Sequence, residues 1–354
     1  MNIRDAIGHI VQGRDLCFAD MQTSMQQLMT GQATDAQVAA FLTGLRMKGE
    51  CVDEIAGAAA VMRAMASGVN IKVNTDHLVD IVGTGGDGAR LFNVSTAAAF
   101  VAAAAGASVA KHGNRGVSSR SGSADLLSQS GVNLNLSAQQ VSACVEQLGI
   151  GFLFAPHHHK AMRHTARLRQ ELGFRTFMNI LGPLTNPAAV PNLVIGVFDG
   201  ALCRPLAEVL KRLDSQRALV VHALDGLDEL SLATGTRVAE LRDNRITEYQ
   251  INPEELGLKR QELDGLTVQD PSESLQLIYD ALENKQTARA RKAADMIALN
   301  AGAALYVTGL AQDMSAGVSL ALDTIRQGGA RQKMKALARF TCAFQENQRS
   351  EGAA

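Results

Sequence analysis

Residues 80–125 read DIVGTGGDGARLFNVSTAAAFVAAAAGASVAKHGNRGVSSRSGSAD, and the fold is decided there. A short apolar run ends at Gly83-Thr84-Gly85-Gly86-Asp87-Gly88 and leads into an alanine-rich helix that begins near Asn93. A second run, Ser108–Lys111, ends at Lys111-His112-Gly113-Asn114-Arg115 and leads into a helix at Ala124. Twice, a strand passes through a glycine loop into a helix. Glycine has no Cβ, so backbone N–H groups can approach an anion closely at the positive end of the helix dipole. Asn93, Ser95 and Thr96 add side-chain donors to the first loop. Lys111 and Arg115, followed by Ser118, Ser119, Ser121 and Ser123, suit a ligand bearing several phosphates. Both loops are expected to wrap one phosphorylated substrate.

The first loop is neither Gly-x-Gly-x-x-Gly nor a Walker loop ending in Gly-Lys-Ser/Thr. The next strand ends in a lysine, where a dinucleotide site wants an acidic residue. A tight strand–helix turn accounts for the glycines alone, but not for three donor side chains directly after them.

Working outward, the first 70 residues read as helices. Met21, Met25, Leu28 and Met29 share one helical face. Thr34 and Gln37 form a capping box ahead of Val38, Phe41, Leu42 and Leu45. A third helix carries Ile55, Ala59, Met62 and Met65 and stops at Ser67-Gly68. After Asn74, Leu78–Val82, Ser108–Lys111, Ile150–Phe154, Leu193–Phe198 and Ala218–His222 alternate with helix-length segments, which predicts a mostly parallel sheet covered by helices. Arg237–Arg242 and Ile246–Ile251 flank Asp243-Asn244 as a hairpin, and everything after Pro271 is helical. The expected fold class is α/β: a small N-terminal all-helical domain and a larger α/β domain with C-terminal helices. The domains are placed at 1–72, joined by the helical segment 157–187, and at 73–354.

The chain has 354 residues, 46% hydrophobic and 19% charged, with 34 Lys plus Arg against 35 Asp plus Glu. A net charge of −1 argues against nucleic acid as a partner, because duplex binding needs a strong basic field. Five scattered cysteines without metal spacing fit a reduced cytoplasmic protein, and no run is long enough to make the membrane a partner.

These motifs resemble those of anthranilate phosphoribosyltransferases: GTGGD, NVSTAA and KHGNR followed by SGSAD. The likeness continues through Arg169-Gln-Glu-Leu-Gly-Phe-Arg-Thr, Asn179-Ile-Leu-Gly-Pro-Leu-Thr-Asn-Pro187 and Asp225-Gly-Leu-Asp-Glu229. It implies a homodimer formed through the helical domain. It also implies Mg²⁺-dependent transfer of phosphoribose from phosphoribosyl pyrophosphate to the amine of anthranilate, in tryptophan biosynthesis. By this resemblance Gly83, Gly86, Asp87, Asn93, Val94, Ser95, Thr96, Ser123 and the run Lys111, His112, Gly113, Asn114, Arg115, Gly116, Val117, Ser118 and Ser119 bind the donor. Gly83, Asn114 and Arg169 bind anthranilate. Ser95, Asp228 and Glu229 hold Mg²⁺, with two ions expected. Leu91 departs from the resemblance, standing where a hydroxyl residue is common, and Arg120 replaces a frequent lysine.

The chemistry agrees. Asp228-Glu229 offers the hard oxygens that suit Mg²⁺, although a DGLDE loop alone is more often an exposed acidic turn, an ordering that the resemblance reverses. Arg169 has the planar fork to pair with a carboxylate. His157–His159 are consecutive, so they cannot converge on one ion from a helix and are read as a helix terminus near the cleft. His112 either lines the aromatic pocket or makes a structural hydrogen bond. No general base stands out, because an aromatic amine is already neutral and nucleophilic. Two other readings share the scaffold: a pyrimidine nucleoside phosphorylase-like enzyme, and a non-catalytic nucleic-acid-binding relative.

Overall fold

Four helices open the chain: α1 (Ile3–Val11), α2 (Phe18–Met29), α3 (Asp35–Lys48) and α4 (Val52–Met65). The computed structural model describes residues 1–116 and 121–351. The capping box before α3 forms as the sequence predicts, with the Gln37 N–H donating to Thr34 Oγ1 and the Thr34 N–H to Gln37 Oε1. Helix α1 begins under an Asn2 cap and buries Ile3, Ala6 and Ile10.

The α/β part then runs β1 (Leu78–Gly83), α5 (Val94–Ala104), β2 (Ser108–Gly113), α6 (Ser123–Gln129), α7 (Ala138–Leu148) and β3 (Ile150–Phe154). A helical excursion follows as α8 (Ala155–His158), α9 (Arg163–Leu172) and α10 (Met178–Leu181). The chain returns through β4 (Asn192–Gly196), α11 (Cys203–Arg212), β5 (Arg217–Ala223), β6 (Thr236–Arg242) and β7 (Arg245–Ile251). It closes with α12 (Pro271–Leu282), α13 (Ala288–Val307), α14 (Met314–Arg326) and α15 (Gly329–Glu351).

One seven-stranded sheet has the order β3-β2-β1-β4-β5-β6-β7. The first five strands pair in parallel, and β6 and β7 add an antiparallel edge hairpin. Its turn residues Asp243 and Asn244 both have positive φ, as a two-residue hairpin turn requires.

The strands sort their side chains by period two. Val194, Leu219, Val221 and Val238 face a core shared with α5 and the C-terminal helices. Leu193, Ile195, Ala218, Val220, Ala239 and Leu241 face the other way, into a core shared with α11 and the N-terminal helices. Leu168, Phe177, Met178, Ile180, Leu181 and Leu184 from the excursion join this second core. The helical bundle therefore joins the side of the sheet that α11 covers, α4 packing on α11, and the excursion is built into it. Two crossings stitch them together: Ser67 N–H donates to the His158 carbonyl, and Val69 N–H to that of Pro187. Arg63 adds bonds to the carbonyls of Leu184 and Leu213.

Candidate active site

The first glycine loop leaves the C-terminal end of β1 and is met there by the loop after β5. That meeting depends on two absent side chains. A Cβ on Gly83 would lie 2.5 Å from Asp228 Oδ2, and one on Gly196 would collide with the Asp228 carbonyl. With glycine at both places, the Asp228 carboxylate reaches the Gly85 N–H at 2.6 Å, across 143 residues of sequence. Burial and the neighbouring Asp87 charge push the Asp228 carboxyl up to about 7. Burial and Asp228 also raise Glu229, against the pull of Lys111. Three carboxylates thus share one small region with one buried ammonium. Such an excess of hard, negatively charged oxygens fits a divalent cation such as Mg²⁺.

Lys111 lies inside the protein rather than on the loop surface. Its ammonium donates to the Ile81 carbonyl and to Ser95 Oγ at 3.3 Å, between Asp80 and Glu229. Burial lowers its pKa, against the pull of the two acids. Ser95 stands at the start of α5, half-buried. Val94 and Thr96 are buried, and the Thr96 hydroxyl has no partner.

Asn93, read from the sequence as a donor to the anion, also has protein partners of its own. Its side chain is a brace: Nδ2 donates to the Ser121 carbonyl at 2.9 Å, and Oδ1 accepts from the Ser121 and Ser274 hydroxyls. The two loops and α12 are locked together through it. Leu91 is half-buried against the sheet core and bridges Thr267.

On the second loop, Asn114, Arg115 and Gly116 are exposed at the end of β2. Ser123 Oγ donates to the Asn114 carbonyl at 3.3 Å. Asp125 organises the turn, accepting from the N–H groups of Gly116 and Gly122 and from the Arg115 guanidinium. Against the opposing effect of burial, these donors hold its carboxyl below the usual range. Val117, Ser118, Ser119 and Arg120 lie outside the described residues.

The excursion α8–α10 supplies the facing wall. Arg169, on α9, is half-buried and has no hydrogen-bond or ion-pair partner among the described residues. Burial alone lowers its pKa. A guanidinium held this way lacks the carboxylate it is shaped to bind. His112 Nδ1 contacts the Gly182 carbonyl at 3.2 Å, and its ring lies 5.1 Å from that of His159. Burial pushes these imidazoles down to about 3 and about 4, and each Nε2 is buried without a partner. Of the three consecutive histidines, His158 is tied to the Ser67 carbonyl and His157 packs on Phe154.

Four contacts escape a reading of the chain alone. Asp80 and Asn186 form a fully buried pair at 2.8 Å, joining β1 to the end of the excursion. His159 meets His112, Asp125 shapes the second loop, and Arg175 bonds the Gly86 carbonyl. Arg175 and Asn186 stand within motifs that mark the excursion, but nothing in linear order says which strand end they reach.

The two loops, the metal-ready acids and the helical wall define a glycosyl-transferring enzyme. The model of the glycosyl transferase family α/β domain matches residues 75–331, and that of its helical bundle domain matches residues 4–66. Among curated relatives, the anthranilate phosphoribosyltransferase of Pseudomonas savastanoi pv. phaseolicola is 57% identical, covering 98% of this chain and 100% of that protein. The solved structure of the enzyme from Thermus thermophilus superposes with a TM-score of 0.89 at 42% identity, covering 95% of this chain and 99% of that one. The Saccharomyces cerevisiae enzyme, solved in complex with PRPP and Mg, gives a TM-score of 0.87 at 26% identity over 96% and 98%. The chain belongs to the anthranilate phosphoribosyltransferase family.

Proposed function

We propose that this protein transfers the phosphoribosyl group from phosphoribosyl pyrophosphate to the amine of anthranilate, with Mg²⁺, in tryptophan biosynthesis. One observation carries this most directly. Asp228 and Glu229 are brought by the sheet onto the glycine loop that begins at Gly83. Gly83, Gly86, Asp87, Asn93, Val94, Ser95 and Thr96 would grip the pyrophosphate end of the donor. The run from Lys111 to Ser119, with Ser123, would close over the rest. Ser95, Asp228 and Glu229 would hold Mg²⁺, as two ions, which when bound neutralises charge gathering on the departing pyrophosphate.

Arg169 would pair with the acceptor carboxylate, while Gly83 and Asn114 flank its ring. Arg169 and Asn114 orient the amine toward the ribose carbon, and that orientation supplies much of the acceleration. His112 stays neutral at pH 7, so it offers a hydrogen bond and not a proton. No residue is asked to act as an essential base. The test mixes protein, anthranilate, phosphoribosyl pyrophosphate and Mg²⁺ and follows the loss of anthranilate fluorescence. Turnover that vanishes with chelator is expected; no turnover, or turnover indifferent to chelator, refutes the reading.

We assign residues 1–72 with 157–187 to a helical unit and 73–354 to the α/β unit, and we place the enzyme in the cytoplasm. No helix among the described residues is long and apolar enough to cross a membrane. A homodimer through the helical unit is carried over from the family resemblance. Light scattering should then return twice the 37.5 kDa chain mass; a monomer mass sinks that assignment.

A further inference from the structure

Arg175 lies in the turn between α9 and α10, six positions after Arg169. Its guanidinium donates to the Gly86 carbonyl in the donor loop. It also lies close enough over Phe198 for its Cζ to sit 4.4 Å from the ring centroid. Phe198 is itself tied to the same loop: its N–H donates to Thr84 Oγ1 at 3.1 Å, and Thr84 N–H donates to the Gly196 carbonyl at 2.9 Å. Arg175 therefore grasps one corner from two sides. Gly86 is shaped for this grasp. A Cβ there would lie 2.5 Å from the guanidinium, and its φ of +80° favours glycine in any case. No carboxylate pairs with Arg175 among the described residues, so its charge remains uncompensated beside the loop.

We propose that Arg175 is a positioning residue that couples the two substrate sites: its bond to Gly86 and its seat on Phe198 make the donor loop and the helix bearing Arg169 settle together. The inference rests on the donor and acceptor assignments made above. Filling the donor loop fixes the Gly86 carbonyl, which fixes Arg175, which fixes the end of α9. The acceptor then meets an Arg169 already in place. By linkage the help is mutual, each ligand tightening the other by the same factor.

Mg²⁺-pyrophosphate serves as an unreactive donor-site probe, and anthranilate fluorescence reads acceptor binding with and without it. The native protein should bind anthranilate at least about fivefold more tightly when the probe is present. In Arg175→Leu this ratio should fall to near one, with each ligand's separate Kd changed less than about threefold. Arg175→Lys should not restore it, because an ammonium cannot stack and donate as a planar fork does. Phe198→Leu, which leaves the arginine intact, should recover only part of the ratio. A merely structural role would weaken both separate affinities and preserve the ratio. An unaltered ratio in Arg175→Leu, or no coupling in the native protein, overturns the proposal. If neither ligand binds the native protein at all, the substrate assignment has failed instead, and the two failures are told apart by the single-ligand titrations.

Discussion

Arg169 and Asp228 make separable demands on the site. On the assignment proposed above, Arg169→Ala deletes a charge-assisted pairing worth about 2 kcal/mol, so the KM for anthranilate should rise roughly 30-fold with kcat little changed. Asp228→Asn keeps the shape but removes charge, and the Mg²⁺ concentration for half-maximal rate should rise at least about tenfold. Steady-state titration of each component checks both; the reverse pattern would refute the assignments. His159 sets a different test. Burial holds it to about 4, below its ordinary value of 6.5. Between those values the unfolded chain binds a proton that the folded one refuses. Stability at this site is therefore complete above pH 6.5 and falls as the pH drops toward 4. His159→Asn removes that liability, so its loss of stability from pH 7 to pH 5 should be smaller than that of the native protein, by about 2 kcal/mol at most. Urea unfolding at the two pH values decides it.

At the scale of elements, much of the architecture was legible in the chain because its signals are local. Five apolar runs between helical segments specify parallel strands, and Asp243-Asn244 specifies the edge turn by its own backbone preferences. Thr34 and Gln37 mark a helix start within four residues. What stayed hidden was long-range. Asn93 reads as an anion donor from its neighbours, and nothing local shows that it also bonds Ser121 and Ser274. Lys111 reads as a phosphate contact of the second loop, and nothing local shows that the strand turns it inward toward Ile81. The close approaches behave alike. Gly196 reads as an ordinary strand residue, but any side chain there would displace the Asp228 loop. Gly196→Ala should thus raise the Mg²⁺ requirement several-fold without touching a ligand. At the crossing of α13 and α14, a Cβ on Gly317 would strike the Gly302 backbone. Gly317→Ala should lower stability by about 2 kcal/mol while sparing substrate affinities, as thermal melts and KM values would report.

For the whole molecule, the two cores lie on opposite faces of one sheet, so neither belongs to a single stretch of chain. Residues of β4, β5 and β6 contribute to both. Losing the helical bundle would strip α4 from α11, which covers β5 and β6, and losing the excursion would strip Phe177 from Phe41. The two parts should therefore melt together. Far-UV circular dichroism and hydrogen exchange of α2–α4 and β4–β5 should give coincident midpoints, and two separated transitions would refute this.

The stitching of the excursion into the helical bundle has a consequence for the nascent chain. The first four helices are finished at Met65, but Phe177, Leu181 and Leu184, which complete their packing, follow roughly 120 residues later, some 6–24 s of synthesis at ordinary rates. During that interval the apolar faces of α2, α3 and α4 leave the ribosome without their partners. The bundle is the first part to be made and must be among the last to set. Chaperone dependence of freshly made chains should accordingly concentrate in residues 18–65, upstream of the sheet on which they finally rest.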